Sequence, residues 1–150
     1  MKFEFSAGGI VYKYKKSNIK NKKEEILILL AKHSQHKGWV FPKGLIDKDR
    51  KESNENAALR EVKEESGAEG EIKLALEPIS YWYVWEGEKR KKTVYYFIMK
   101  YIGGDITKHD FEMEDVRWFE PQEALKTLTY KSEKELLQKA LPEIKKLAKI

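Results

Sequence analysis

The chain has 150 residues, 30 basic against 25 acidic side chains, a net charge of +5, 41% apolar residues and no cysteine. That length suits one compact unit with its own core, so a single domain over residues 1–150 is expected. The lack of cysteine excludes disulfide scaffolds, thiol nucleophiles and thiolate-ligated zinc or iron–sulfur centres, and the opening MKFEFSAGGIVYKYKKS has no apolar run long enough for a signal or a membrane span. The expectation is a soluble cytoplasmic protein, with monomer or dimer left open.

Residues 3–15 alternate apolar and polar side chains around Gly8 and Gly9, which reads as a strand with a flexible point. Residues 17–24 form a polar loop, and residues 26–31 are a short apolar run suited to a buried strand. Residues 33–49 carry Gly38, Pro42, Gly44 and many polar side chains, hence a long loop or a set of short strands; a segment of this kind in a compact domain is usually functional.

Ser53 is positioned to cap a helix running to about Ser66 and ended by Gly67. Residues 71–85 and 91–101 are rich in aromatic and β-branched side chains, with Glu86, Gly87 and Glu88 as a hairpin turn between them. A brief strand is expected at 115–119, a short helix starting at Pro121, and a C-terminal helix with an apolar stripe of Leu137, Ala140, Leu141, Ile144, Leu147 and Ala148 and a kink point at Pro142. Strands from both ends of the chain with helices between and after them predict an α/β (α+β) sandwich, a mixed sheet flanked by helices.

The charge is unevenly spread. Seven Glu against Arg60 and Lys63 fall between Glu52 and Glu71, a local charge of −5 that leaves +10 elsewhere. On a helix turning ~100° per residue, Glu61, Glu64 and Glu65 lie at about 0°, −60° and +40°, while Ala58, Leu59 and Val62 occupy the side that packs into the core. Three carboxylates facing outward together repel by a few tenths of a kcal/mol per pair, a cost that a bound cation would remove. Oxygen-only ligands select hard ions, so magnesium or manganese is expected rather than zinc. A solvated acidic face is the ordinary alternative.

The run from Gly44 through Glu52, then seven residues, then Arg60-Glu61-Val62-Lys63-Glu64-Glu65-Ser66-Gly67-Ala68 resembles the Nudix box of the Nudix hydrolases. It departs in one place: seven residues rather than five separate Gly44 from Glu52, and Lys48-Asp49-Arg50 replaces the usual Pro-Gly turn. The resemblance implies a Nudix-type α/β/α sandwich. It also implies that Glu61, Glu64 and Glu65, with the carbonyl of Gly44, are metal ligands, and that Arg60 and Glu52 pair as a scaffold. The family reaction is attack of water on phosphorus in a nucleoside diphosphate linked to another group, where divalent ions neutralise the phosphates and activate water.

Outside the box the chain is similar to the asymmetrical diadenosine tetraphosphate hydrolase branch of that family, through Phe5-Ser-Ala-Gly-Gly9, Gly38-Trp-Val-Phe-Pro-Lys-Gly44, Tyr81-Trp-Tyr83, Lys92-Thr-Val94 and Val116-Arg-Trp-Phe119. This implies Tyr83 as the adenine-stacking residue, with Tyr81 on the same face and Trp82 turned into the core or under a helix. Lys43, Lys92 and the loop histidines His33 and His36 become candidate phosphate contacts, and Glu112 an additional metal ligand or general base, with Glu114 and Asp115 as rivals and Glu61 a second candidate base. Lys89, Arg90 and Lys91 read as a solvated turn. The expected substrate is a dinucleoside polyphosphate, diadenosine tetraphosphate giving ATP and AMP. Alternatives are a nucleoside triphosphate or RNA 5′ pyrophosphohydrolase, RNA being possible but not favoured, or a non-catalytic nucleotide-binding module.

Overall fold

The computed structural model describes residues 1–16, 24–47, 49 and 51–148. Among the described residues eight strands and three α-helices follow one another as β1 (Lys2–Lys16), β2 (Glu24–His33), β3 (Trp39–Val40), β4 (Lys43–Leu45), α1 (Asn54–Ser66), β5 (Ala68–Ala75), β6 (Ile79–Trp85), β7 (Glu88–Gly104), β8 (Met113–Phe119), α2 (Pro121–Thr127) and α3 (Lys131–Ala148), with one 3-10 turn at Ile106–Lys108. The sheet runs β3-β2-β1-β7-β5, with β4 added to β1, β6 to β7 and β8 to β2. Only the long central pair β1 and β7 is parallel, so the sheet is mixed.

Both faces of this sheet are covered, which explains the unbroken apolar runs in its central strands. Successive side chains point to opposite faces: Ile10, Tyr12, Ile28, Leu30 and Ile98 meet Leu137, Ala140 and Ile144 of α3, while Val11, Leu29, Ala31 and Met99 meet Ala57, Ala58 and Val62 of α1. The expected α/β/α sandwich is the fold observed.

Helix α1 begins and ends where its sequence requires. The Ser53 side chain accepts from the Asn56 N–H, and Gly67 closes the helix with φ of 79°, its N–H returning to the Lys63 carbonyl. A Cβ at Gly67 would lie 2.0 Å from the Asp105 carbonyl oxygen. Pro121 starts α2, and α3 begins six residues before the first residue of the expected stripe and runs through Pro142.

Several boundaries differ from the sequence reading. The run 71–85 is two strands rather than one, parted by a segment containing Pro78, whose missing N–H cannot join a ladder. The hairpin turn is two residues, Glu86 and Gly87, both at positive φ, with Trp85 paired to Glu88. Residues 33–49 do contain short strands, and β7 runs from Glu88 to Gly104, beyond the expected 91–101 at both ends. The polar loop expected at 17–24 falls outside the described residues except for Glu24 at the start of β2. Lys48 and Arg50 of the lengthened loop are outside them too.

Candidate active site

Strand β4 reaches the sheet by pairing with β1, Gly8 opposite Lys43 and Ala7 opposite Gly44. This lays Gly44 against α1 so closely that a Cβ on it would lie 1.8 Å from an oxygen of Glu61. Position 44 must therefore be glycine for the Glu61 carboxylate to sit where it does. From the other side the loop between residues 109 and 112 closes on α1: the Asp110 N–H donates to the Glu64 carbonyl at 3.1 Å, and the Ser34 N–H donates to the Glu112 carbonyl at 2.8 Å.

Enclosed by these segments is a polar cavity of about 440 Å³ bordered by Ser6, Lys43, Gly44, Glu61, Glu64, Glu65, Asp110 and Glu112. Within it, Glu65, Asp110 and Glu112 each offer a carboxylate oxygen within 4.8 Å of the others. Three hard oxygen donors at that spacing, one of them buried, fit a divalent cation of the magnesium or manganese type. The Ser6 hydroxyl is buried at the cavity wall with no hydrogen-bond partner among the described residues.

Burial drives the electrostatics of this cavity. It pushes the Glu65 carboxyl up to about 8, assisted by the neighbouring charges of Asp110 and Glu112 and opposed by Lys43 and its backbone N–H. Burial also raises Glu61, against the pull of Arg60. The Arg60 guanidinium donates to Glu52 through Nε at 3.0 Å and through Nη2, to Glu61 at 2.7 Å, to Glu64 at 3.1 Å and to the Leu45 carbonyl at 3.2 Å. The lengthened loop folds back on the same pair, with the Asp47 N–H on Glu52 at 3.0 Å and the Asp49 N–H on Asp47 at 3.0 Å.

A second cavity of about 580 Å³ adjoins the first and shares His36, Val40, Lys43 and Lys92 with it. Its other walls are apolar and aromatic, including Ile79, Tyr81, Tyr83, Val94 and Tyr96. Tyr81 and Tyr83 stand on one face of β6 with ring centroids 6.2 Å apart, and the Tyr83 hydroxyl donates to Glu4. Glu133 of α3 closes the cavity. Its carboxylate is 4% exposed and accepts from the Phe41 N–H at 3.0 Å and the Tyr96 hydroxyl at 3.1 Å, and burial raises its pKa in spite of Lys43 and those two bonds. Burial, with Lys43 adding, lowers Lys92.

A family model for the NUDIX domain matches residues 18–140. The chain belongs to the NUDIX domain family. A putative mutator protein MutT4 of Mycobacterium tuberculosis is 34% identical over 147 residues, covering 96% of this chain and 57% of that protein; this chain thus spans under two thirds of the MutT4 length. The asymmetrical bis(5′-nucleosyl)-tetraphosphatase of Caenorhabditis elegans is 29% identical over 134 residues, 89% of this chain and 91% of that one. In structure, a C. elegans Ap4A hydrolase binary complex superposes with a TM-score of 0.68 at 22% identity, covering 94% of this chain and 97% of that chain. At that identity the superposition speaks for the fold.

Several side chains lie elsewhere than the sequence reading placed them. The three α1 glutamates do not face outward together: Glu61 and Glu65 are buried because β4 and the 109–112 loop cover them, and only Glu64 is exposed. Glu61 and Glu64 are drawn to Arg60, leaving Glu65 alone of the three in the cluster with Asp110 and Glu112. Trp82 is neither core nor under a helix; it is 48% exposed, with the ammonium groups of Lys89 and Lys91 4.7 and 5.6 Å from its ring centre. Arg90 is not a solvated turn residue but lies largely covered beside Glu4. The rivals of Glu112 are engaged elsewhere, Glu114 with Lys32 and Lys37, Asp115 with Arg117. Asp110, Ser6 and Glu133 were not singled out as candidates. For Asp110 a signal existed, an acidic side chain two residues from Glu112 in one loop, whereas Glu133 in the first turn of an amphipathic helix reads as an ordinary solvated acid.

Proposed function

We propose that this chain is a divalent-metal-dependent pyrophosphohydrolase acting on a dinucleoside polyphosphate, with diadenosine tetraphosphate cleaved to ATP and AMP. The observation that carries the reading is the junction of the two cavities: an aromatic chamber of about 580 Å³, roomy enough for a nucleoside, adjoins a carboxylate-lined cleft, with Lys43, Lys92 and His36 at the boundary. The relative that matches over nine tenths of its length carries the name of an asymmetrical tetraphosphatase.

In this reading Glu65, Asp110 and Glu112, with Glu61, Glu64 and the Gly44 carbonyl beside them, would hold the cation. A bound magnesium or manganese ion supplies charge neutralisation on the phosphates and a lowered pKa for water. Lys43 and Lys92 are the point charges that receive phosphate oxygens, and an anion beside Lys92 restores the proton affinity that burial removes. The Nδ1 atom of His36 accepts from the Gly38 N–H at 3.0 Å, so its hydrogen is on Nε2 and that nitrogen is a donor. Tyr81 and Tyr83 stack on the base, and Tyr83 is fixed for this by its bond to Glu4. No hydrogen bond or ion pair among the described residues holds the Glu112 carboxylate, so with one oxygen toward the cation its other oxygen would be open to take the proton of the attacking water as oxygen bonds to phosphorus and the bridging oxygen departs.

A nucleoside triphosphate substrate is the second reading, favoured by the 34% identity to MutT4. A panel with magnesium decides between them, comparing diadenosine tetraphosphate, canonical nucleoside triphosphates and triphosphorylated RNA, with products separated by chromatography. ATP and AMP in equal amounts from the dinucleotide, formed at a higher kcat/KM than any product from the triphosphates, are expected. Preference for a triphosphate overturns the reading.

A further inference from the structure

Phe111 is the most exposed large apolar side chain described, at 89%. Scattered apolar side chains on a surface need no explanation, but this one stands between two carboxylates of the acidic cluster, Asp110 and Glu112. Its backbone is anchored on both sides. The Asp110 N–H is bonded to α1 and the Glu112 carbonyl to Ser34, the Glu112 N–H returns to the Asp110 carboxylate at 3.1 Å, and Met113 is buried in the core. The ring is thus held out by a fixed loop, with its ordering cost already met in the fold.

Beside it lies a recess of about 190 Å³ formed by His33, Ser34, Gln35, Phe111 and Glu112. This recess shares His33 and Glu112 with the carboxylate cavity. His33 in turn stacks on His36, ring centres 4.0 Å apart and planes within 11°, and His36 borders the aromatic chamber. The three spaces therefore adjoin in a row, tyrosine chamber, carboxylate cleft and the recess beside Phe111, with the stacked histidines shared along their borders.

We infer that Phe111 and this recess form the subsite for the second nucleoside of a dinucleoside polyphosphate, the base stacking on the Phe111 ring while the phosphates cross the carboxylate cleft. Among the described residues no lysine or arginine borders the recess and Glu112 does, so a phosphate would be repelled there while an uncharged nucleobase is not. An aromatic face takes any base, which makes the subsite tolerant of base identity. The Gln35 amide and Ser34 hydroxyl at its edge offer polar contacts to a base or ribose.

This subsite rests on the proposed dinucleotide activity, and the test separates the two. Wild type, Phe111→Ala and Phe111→Trp are compared on diadenosine tetraphosphate and on adenosine 5′-tetraphosphate, used as substrate or competitor; the second has the same four phosphates and lacks the second nucleoside. Because Phe111 is almost fully exposed, its truncation does not threaten the fold. Stacking of ~1–3 kcal/mol predicts that Phe111→Ala lowers the preference for the dinucleotide over the mononucleotide by about 5- to 150-fold, mainly through KM, and that Phe111→Trp restores it. An unchanged preference, or equal losses on both compounds, overturns the subsite. A wild-type enzyme that turns over nucleoside triphosphates and leaves the dinucleotide intact overturns the proposed function and the subsite with it, a result visible before any variant is made.

Discussion

Replacing Arg60 with lysine tests whether the guanidinium holds β4, the lengthened loop and α1 together. All five of its N–H groups find acceptors, on Glu52 twice, on Glu61, on Glu64 and on the Leu45 carbonyl. A lysine ammonium carries three donors on one nitrogen and cannot serve both Glu52 oxygens while reaching Glu61. At least two charge-assisted bonds are lost, each contributing ~1.5–3 kcal/mol where desolvated. The arginine side chain is 22% exposed and its partners Glu52 and Glu61 are 10% and 12% exposed, so solvent screening places each bond toward the low end. The expected loss is roughly 2–4 kcal/mol, or about 5–15 °C in Tm for a chain of this size. Urea denaturation should show a lower midpoint with an unchanged slope, and a double-mutant cycle with Glu52→Gln should return a coupling of about 1 kcal/mol or more. Arg60→Lys within about 0.5 kcal/mol of wild type refutes the bracing role.

Asp110→Asn and Glu65→Gln should each raise the magnesium concentration for half-maximal activity by about tenfold or more with the circular dichroism unchanged; an Asp110→Asn enzyme with wild-type magnesium dependence removes that residue from the cluster. Tyr83→Ala should raise KM by an amount equivalent to ~1–3 kcal/mol with less effect on kcat, since stacking acts in ground and transition states alike, and an unchanged KM means that the ring does not meet the base. Without metal, burial holds the Glu65 carboxyl up at about 8 in the folded chain and moves Glu133 in the same direction, whereas the unfolded chain releases a glutamate proton at ~pH 4.3. Stability in chelator should therefore fall as pH rises from that point through about 8, and Glu65→Gln should show a shallower fall; equal slopes in thermal melts contradict the assignment.

The sequence carried the helical placement of the box well, because one helix obeys one angular rule: Ser53, Gly67 and the shared sector of Glu61, Glu64 and Glu65 all follow from local spacing. What covers that sector is set by contacts from β4 and from a loop some fifty residues downstream, and no periodicity encodes those. Outward-facing glutamates were thus expected where two of the three are buried. The same limit hid Asp110, whose chemistry exists only once the Glu64 carbonyl receives its N–H. Trp82 shows the reverse error. Alternation along β6 placed it opposite the tyrosines, but nothing in the strand itself tells whether a helix lies over the far face, and there the cover consists of lysine side chains.

The position of Lys43 explains how one sheet serves two chemistries. Helix α1 supplies buried carboxylates on one face and α3 supplies Glu133 on the other, and β4, paired to the central strand β1, sends the Lys43 ammonium to the boundary between the cavities. Lys43 opposes the burial-driven rise of both Glu65 and Glu133, two acids that lie in separate layers. In the proposed reading a polyphosphate drawn to Lys43 would divert part of that compensation, raising the demand for positive charge at Glu65 while leaving Glu133 its bonds from Phe41 and Tyr96. The cleft therefore has greater need of a cation once the phosphates are in place, and the two should bind with positive coupling, each increasing the affinity for the other.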